Sequence, residues 1–312
     1  MNLTELYKIN KNWYSVEYIK TFHSEVASTL AEKQEETEKM ITVIDKDQNG
    51  NLTNSKTQVE YFTGGEVNIP NIDEINPTAV IMTGASAEEL MLAAMVADVA
   101  HKKGNPFTLL LPYLPAARAD RGTPFGGKIY ADVINTIKAE KVVCLDPHSE
   151  IVPNLINNIT IVDTTNIIVH AILEKEKWAG IISPDEGGIE RALKIANKAN
   201  LPLIKGSKHR DFKTHELSGF DCEALPDPNG KYLIIDDICD SGGTILGLVE
   251  AINCPPENLA LWVTHGVFAD LAARLNDHIG TVYTTNSHPG SANPLVEANV
   301  IDLTTILLDE VL

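Results

Sequence analysis

The segment Tyr232-Leu233-Ile234-Ile235-Asp236-Asp237-Ile238-Cys239-Asp240-Ser241-Gly242-Gly243-Thr244 decides how this chain is read. Its first four residues form an apolar run of strand length, which predicts a buried strand. Asp236 and Asp237 stand at the carboxyl end of that run. A short Asp-Ser-Gly-Gly-Thr turn then leads into the helical pattern Ile245-Leu246-Gly247-Leu248-Val249. A strand, a glycine loop and a helix amino terminus make an anion site, because unpaired backbone N–H groups and the helix dipole point at one spot. The glycines let the backbone approach a phosphate closely, and Ser241 and Thr244 add hydroxyl donors. The two upstream carboxylates lie where a sugar bearing that phosphate would place its diol. The segment reads as a ribose-phosphate cradle. The plainer reading, a turn with solvated acids, leaves the coincidence of acid pair, glycine pair and hydroxyls unexplained.

Working outward, strands and helices alternate. Strands are predicted at 80–82, 107–111, 142–145, 159–162, 180–182, 202–204, 232–235 and 259–263. Helical patterns lie between them at 87–103, 130–139, 166–175 and 187–199. Continuous apolar strands between amphipathic helices predict parallel sheets covered on both faces. A break near 150–165 divides the chain into two α/β halves, 1–155 and 156–312. Active groups in such folds gather beyond the carboxyl ends of strands. The first sixty residues fit less well. Residues 15–40 read as an acidic amphipathic helix, and Ile41-Thr42-Val43-Ile44 begins a hairpin. The stretch from Asp45 to Asn51 imitates a calcium loop, but its twelfth position is Lys56 where a Glu is required, so Asn49-Gly50 is taken as a hairpin turn.

The chain has 312 residues, enough for two cores, and its hydrophobic and charged fractions, 44% and 22%, are those of a globular protein. A net charge of −18 argues against general binding to nucleic acid or anionic membrane, though not against a local phosphate site. The four cysteines match no zinc or redox spacing, and Cys144 and Cys239 fall in apolar strands as reduced core residues. With no signal peptide and no bilayer-length apolar run, the expected location is the cytoplasm.

Three further strand ends carry polar groups. In Leu111-Pro112-Tyr113-Leu114-Pro115-Ala116-Ala117-Arg118-Ala119-Asp120-Arg121, two arginines flank an acid, which suits a polyphosphate or equally an exposed ion-pair cluster. Asp146-Pro147-His148 ends one strand and Ser183-Pro184-Asp185-Glu186-Gly187-Gly188 another. His148 and Asp185 could share one magnesium-nucleotide, since magnesium takes few protein ligands.

From about residue 58 onward, the order of motifs resembles the ribose-phosphate diphosphokinase (PRPP synthetase) family. The motifs are Tyr-Phe-Thr-Gly-Gly-Glu, Pro-Tyr-x-x-x-Ala-Arg-x-Asp-Arg, Asp-x-His, Ser-Pro-Asp-x-Gly-Gly, a basic loop, and Asp-Asp-Ile-x-Asp-Ser-Gly-Gly-Thr. A type I phosphoribosyltransferase would carry only the last. The resemblance implies two phosphoribosyltransferase-like halves, a homo-oligomer, and magnesium-dependent transfer of a diphosphoryl group from ATP to ribose 5-phosphate. It implies that Phe62 and Glu66 contact a neighbouring subunit's ATP, and that Arg118, Asp120 and Arg121 line the ATP site. His148 and Asp185 would lie at the metal. Asp236, Asp237, Asp240, Ser241, Gly242, Gly243 and Thr244 would hold the ribose 5-phosphate. Lys208 and Arg210 match the basic pair of a mobile catalytic loop; alone they would read as a solvated turn.

The chain departs from that family's usual pattern at Gly64, where Asp is usual, and at Ala119, where Gln is usual. The stretch between Arg121 and Lys128 is also short. ADP-ribose presents the same 5-phosphorylated ribose with a free C1 hydroxyl and is the alternative acceptor, which would move the chain to NAD metabolism. A PRPP-consuming transferase and a silent regulatory paralogue are the readings from other classes; retention of Lys208, Arg210, His148 and Asp185 argues against silence.

Overall fold

The computed structural model describes residues 6–9, 12–15, 40–47, 49, 51–116, 118–210 and 217–311, with backbone alone for 6–9, 12–15, 209, 210, 217, 218 and 270. The amphipathic stretch expected over 15–40 lies outside these residues except at its ends. Strands β1 (Leu6–Ile9) and β2 (Asn12–Ser15) pair antiparallel. Strands β3 (Met40–Lys46) and β4 (Leu52–Gln58) form the expected hairpin, whose Asp47 carboxylate accepts the N–H groups of Asn49 and Asn51 at 2.8 Å. A small ribbon follows from β5 (Glu60–Tyr61) and β6 (Val67–Asn68).

The first large sheet adds β7 (Pro77–Ile81), β8 (Thr108–Leu110), β9 (Lys141–Leu145) and β10 (Ile159–Val162). Helix α1 (Ala87–Lys102) joins β7 to β8, and α2 (Gly126–Thr136) joins β8 to β9. Spatial order is β10-β9-β8-β7-β3-β4, parallel from β7 to β10 and closed by the antiparallel hairpin. Thus β10, which follows the expected division at 155/156, belongs to the first sheet.

The second half begins with α3 (Thr165–Ala171), β11 (Gly180–Ser183), α4 (Ile189–Ala199), β12 (Leu203–Arg210) and β13 (Leu217–Cys222). It continues with β14 (Tyr232–Cys239), α5 (Gly243–Ala251), β15 (Leu259–Gly266), α6 (Leu275–His278), β16 (Thr281–Thr285) and β17 (Ala298–Ile301). Order here is β13-β12-β11-β14-β15-β16-β17, parallel except for β13 at the edge. The centre is β14 against β15, fully apolar over Tyr232–Ile235 and Leu259–Val263, which is why these runs lack polar alternation.

The last helix, α7 (Thr304–Asp309), returns to the first half, where Leu303 and Leu307 pack against Ile44, Leu110 and Val143. Lys141 Nζ donates to the Glu310 carboxylate at 2.6 Å and to its carbonyl at 2.8 Å, fastening that return. The two halves are therefore stitched twice, here and at the cleft described next. Helix α2 starts four residues before the expected 130. A Cβ at Gly127 would stand 2.5 Å from Val152 Cγ2, so the position takes close packing in place of a side chain.

Candidate active site

A cleft of about 860 Å³ opens where the carboxyl ends of both sheets meet. The first half contributes Arg118, Asp120, Arg121 and His148 from the loops after β8 and β9. The second contributes Asp185 after β11, Lys208 from β12, Asp236 and Asp237 from β14, and Thr244 from α5. Nine side chains singled out in the sequence are thereby brought to one cleft.

Strand β14 runs four residues further than expected, so the acid pair sits inside the strand's last turns, in register with the end of β15: Asp236 opposite Val263, Ile238 opposite His265. Beyond it, Gly242 caps α5 with φ +81°, a left-handed backbone that glycine adopts without strain. No side chain caps α5, and Thr244 of its first turn lines the cleft. Asp240 does not line the cleft but accepts from Arg118 Nη2 at 2.8 Å, tying the glycine loop to the first half.

The acid pair is held unequally. Asp237 is 4% exposed; its Oδ2 meets His148 Nδ1 at 2.8 Å, and its N–H donates to Asp236 Oδ1 at 2.9 Å. Burial pushes the Asp237 carboxyl up, but the His148 hydrogen bond and the Arg191 charge prevail and hold it well below the usual carboxylate range. Burial and the neighbouring Asp237 charge raise Asp236 well above that range. The hydrogen bond to Asp237 raises His148. Asp120, 4% exposed, is lowered chiefly by its hydrogen bond from Arg121 Nε at 2.9 Å, while Arg121 itself extends into solvent.

Lys208 Nζ donates to Asp185 Oδ2, and Asp185 Oδ1 accepts from Gly188 N at 3.1 Å. Contrary to the expectation of a loop, Lys208 and the backbone of Arg210 lie on β12, in an antiparallel ribbon with β13 that pairs Lys208 with Phe220. The strand persists because β13 supplies hydrogen-bond partners past the sheet edge. The Arg210 side chain and residues 211–216 lie outside the described residues.

His148 and Asp185 are each engaged by a different partner, and among the described residues no group of three or more His, Cys, Asp or Glu could by itself hold a metal ion. The donors in the cleft are nevertheless carboxylate oxygens, and a few such oxygens suit magnesium that takes its other ligands from phosphate and water. Phe62 and Glu66 stand apart, exposed beside the β5–β6 ribbon and absent from the cleft; Phe62 N–H donates to the Glu66 carbonyl at 2.8 Å in a tight turn through Gly64. Ser241, Gly242 and Gly243 form the loop adjoining the cleft without lining it.

Three residues were not singled out from sequence. Arg191, on the first turn of α4, is 16% exposed and its Nε donates to Asp146 Oδ1 at 2.7 Å. Thr264 Oγ1 donates to Asp146 Oδ2 at 2.6 Å. His265, fully buried, directs Nε2 at the carbonyls of Leu145 (3.2 Å) and Asp146 (3.3 Å), with Ser287 Oγ 2.7 Å from Nδ1. Nε2 facing two carbonyls acts as an N–H donor, burial lowers the imidazole's pKa, and Ser287 Oγ also donates to the Thr264 carbonyl at 3.0 Å. The signal available was Thr264-His265 itself, a polar pair ending an otherwise apolar strand. The cysteines serve no role here: Cys144 and Cys239 are buried and free, with burial raising each thiol to about 12.

No family model matches the chain. It is 28% identical to a ribose-phosphate pyrophosphokinase of Mycoplasma genitalium over 70% of this chain and 69% of the relative. One from Rhizobium meliloti is 28% identical over 70% and 74%. One from Haemophilus influenzae is 24% identical over 81% and 86%. A solved phosphoribosylpyrophosphate synthetase from Mycobacterium smegmatis superposes with TM-score 0.68, covering 82% of this chain and 88% of that one at 21% identity, a likeness of fold. Sequence likeness of 24–28% over most of the chain, together with a shared two-sheet fold, relates this protein to the ribose-phosphate pyrophosphokinases as a divergent homologue.

Proposed function

We propose that this protein transfers the β,γ-diphosphoryl group of ATP to the C1 hydroxyl of ribose 5-phosphate, giving PRPP and AMP. The observation that carries the reading is the meeting of an uncapped α5 terminus and the Asp236-Asp237 pair with Arg118, Arg121 and Lys208 across one cleft. An acceptor bearing phosphate and diol fits the first set, and a polyphosphate donor fits the second. The kinship with ribose-phosphate pyrophosphokinases supports it.

In the step itself, the C1 oxygen bonds to the β-phosphorus, the bond from that phosphorus to the α,β-bridging oxygen breaks, and AMP leaves with that oxygen. The hydroxyl proton passes to solvent. Such transfers depend on positioning and charge stabilisation more than on a strong base. The loop Asp240–Thr244 binds the 5-phosphate, and Asp236 and Asp237 orient the sugar hydroxyls. Arg118 and Arg121 bind ATP, with Asp120 orienting Arg121. Lys208, joined by Arg210, leaves its Asp185 partner to neutralise charge growing on the transferred group. His148 and Asp185 would hold magnesium, which would supply charge neutralisation for the diphosphate. Exposed Phe62 and Glu66 fit a contact to a neighbouring subunit's nucleotide in a homo-oligomer.

The test is AMP release from ATP and Mg²⁺ with ribose 5-phosphate and ADP-ribose in parallel, products identified by mass. AMP with ribose 5-phosphate supports the proposal. AMP with ADP-ribose alone keeps the chemistry and changes the acceptor. AMP with neither overturns the reading in favour of a transferase or a silent paralogue.

A further inference from the structure

Two adjacent buried acids repel each other, and His148 reaches only one oxygen of one of them. The charge that holds the pair together comes from elsewhere. Arg191 Nη1 stands 3.9 Å from Asp236 Oδ1 and 3.7 Å from Asp237 Oδ1. Its Nε is bound to Asp146, whose second oxygen is taken by Thr264 and whose backbone is held in a left-handed conformation (φ 34°) beside the His265 hydrogen bonds. Both oxygens of Asp146 are thus engaged inside the protein, facing Arg191 and Thr264. Its carboxylate anchors a cation.

We propose that Arg191 is a positioning residue for acceptor binding: keyed by Asp146 of the first half, its guanidinium fixes Asp236 and Asp237 of the second half where they meet the sugar hydroxyls. The inference rests on the proposed acceptor site and adds to it a residue in which the two halves of the chain combine to shape the sugar cradle. A planar guanidinium can bond one carboxylate through Nε while its Nη1 lies between two others; a lysine at this place keeps the charge but loses the fork.

The experiment is calorimetric titration with ribose 5-phosphate in the absence of ATP, and separately with α,β-methylene-ATP, on wild type, Arg191→Gln, Arg191→Lys and Asp146→Asn. Circular dichroism checks that each variant is folded. Arg191→Gln should weaken ribose 5-phosphate about tenfold or more, the worth of charge-assisted contacts in a buried site, with the nucleotide analogue within about twofold. Arg191→Lys should recover part of the loss, and Asp146→Asn should act in the same direction but less. In turnover, the acceptor KM should rise while the ATP KM holds. A merely structural role would lower stability and leave both affinities alone. Unchanged acceptor affinity in folded Arg191→Gln overturns the inference. Intact acceptor binding by a wild type that releases no AMP overturns the proposed reaction and leaves this inference standing.

Discussion

The two halves solve the same architectural problem and end their central strands differently. After β7, Ser86 caps α1 and accepts the Glu89 N–H at 3.2 Å, while the Glu89 carboxylate folds back onto the N–H groups of Gly84 and Ser86 at 3.2 and 3.3 Å. That reciprocal box satisfies the orphan donors internally and stabilises the helix by about 1 kcal/mol. After β14, α5 begins at a left-handed glycine with no side-chain cap. One helix terminus is spent on the fold; the other is left for an anion. The contrast teaches that the same strand-loop-helix unit becomes a scaffold or a binding site by whether a carboxylate three residues into the helix closes it.

The largest expected effect lies opposite the open terminus. Lys208→Ala should lower kcat about a hundred- to thousandfold in the AMP-release assay, the cost of one preorganised donor to developing charge, without unfolding the protein. Chelation of Mg²⁺ by EDTA should likewise abolish release, restored by added magnesium. Next comes the loop itself. Gly242→Ala forces a side chain into φ +81°, costing about 1–2 kcal/mol, and should raise the acceptor KM while chemical denaturation reports the strain. The converse change, Glu89→Ala, opens the closed terminus. It should cost about 1 kcal/mol of stability and leave acceptor KM and kcat unaltered, because no acid pair or glycine loop waits there. If Glu89→Ala impaired turnover as Gly242→Ala does, the two termini would not differ in role.

A smaller effect tests how the halves are joined. His265 is buried, and burial lowers its pKa from 6.5. A depressed pKa gives stability that is complete above the unfolded value and is lost as pH falls from it through the folded value. The melting temperature should therefore drop as pH falls below about 6.5, and His265→Asn should flatten that slope while lowering the plateau. The raised His148 acts oppositely, adding stability that fades as pH rises, but its side chain is 44% exposed and solvent weakens the term.

Much of this was legible in sequence. The apolar runs fixed the central strands because both sheet faces are covered, and the Asp-Asp to Gly-Gly-Thr spacing located the acid pair and open helix together. What escaped is non-local. Arg191 looks like any surface arginine of an amphipathic helix; only the meeting of the loop after β9 with α4 and the end of β15 turns it inward to Asp146. The length of β12 depended on a partner strand, β13, without a strong apolar pattern. That β10 and α7 belong to the first half is written in pairing and packing, and neither shows in local periodicity.

The most direct test of the proposed chemistry is to follow ATP labelled at the β-phosphorus with ribose 5-phosphate, Mg²⁺ and the intact protein. The expected result is label in the sugar product at C1 and unlabelled AMP in equal amount. Label retained in ADP, or ATP left whole beside a bound acceptor, would contradict it.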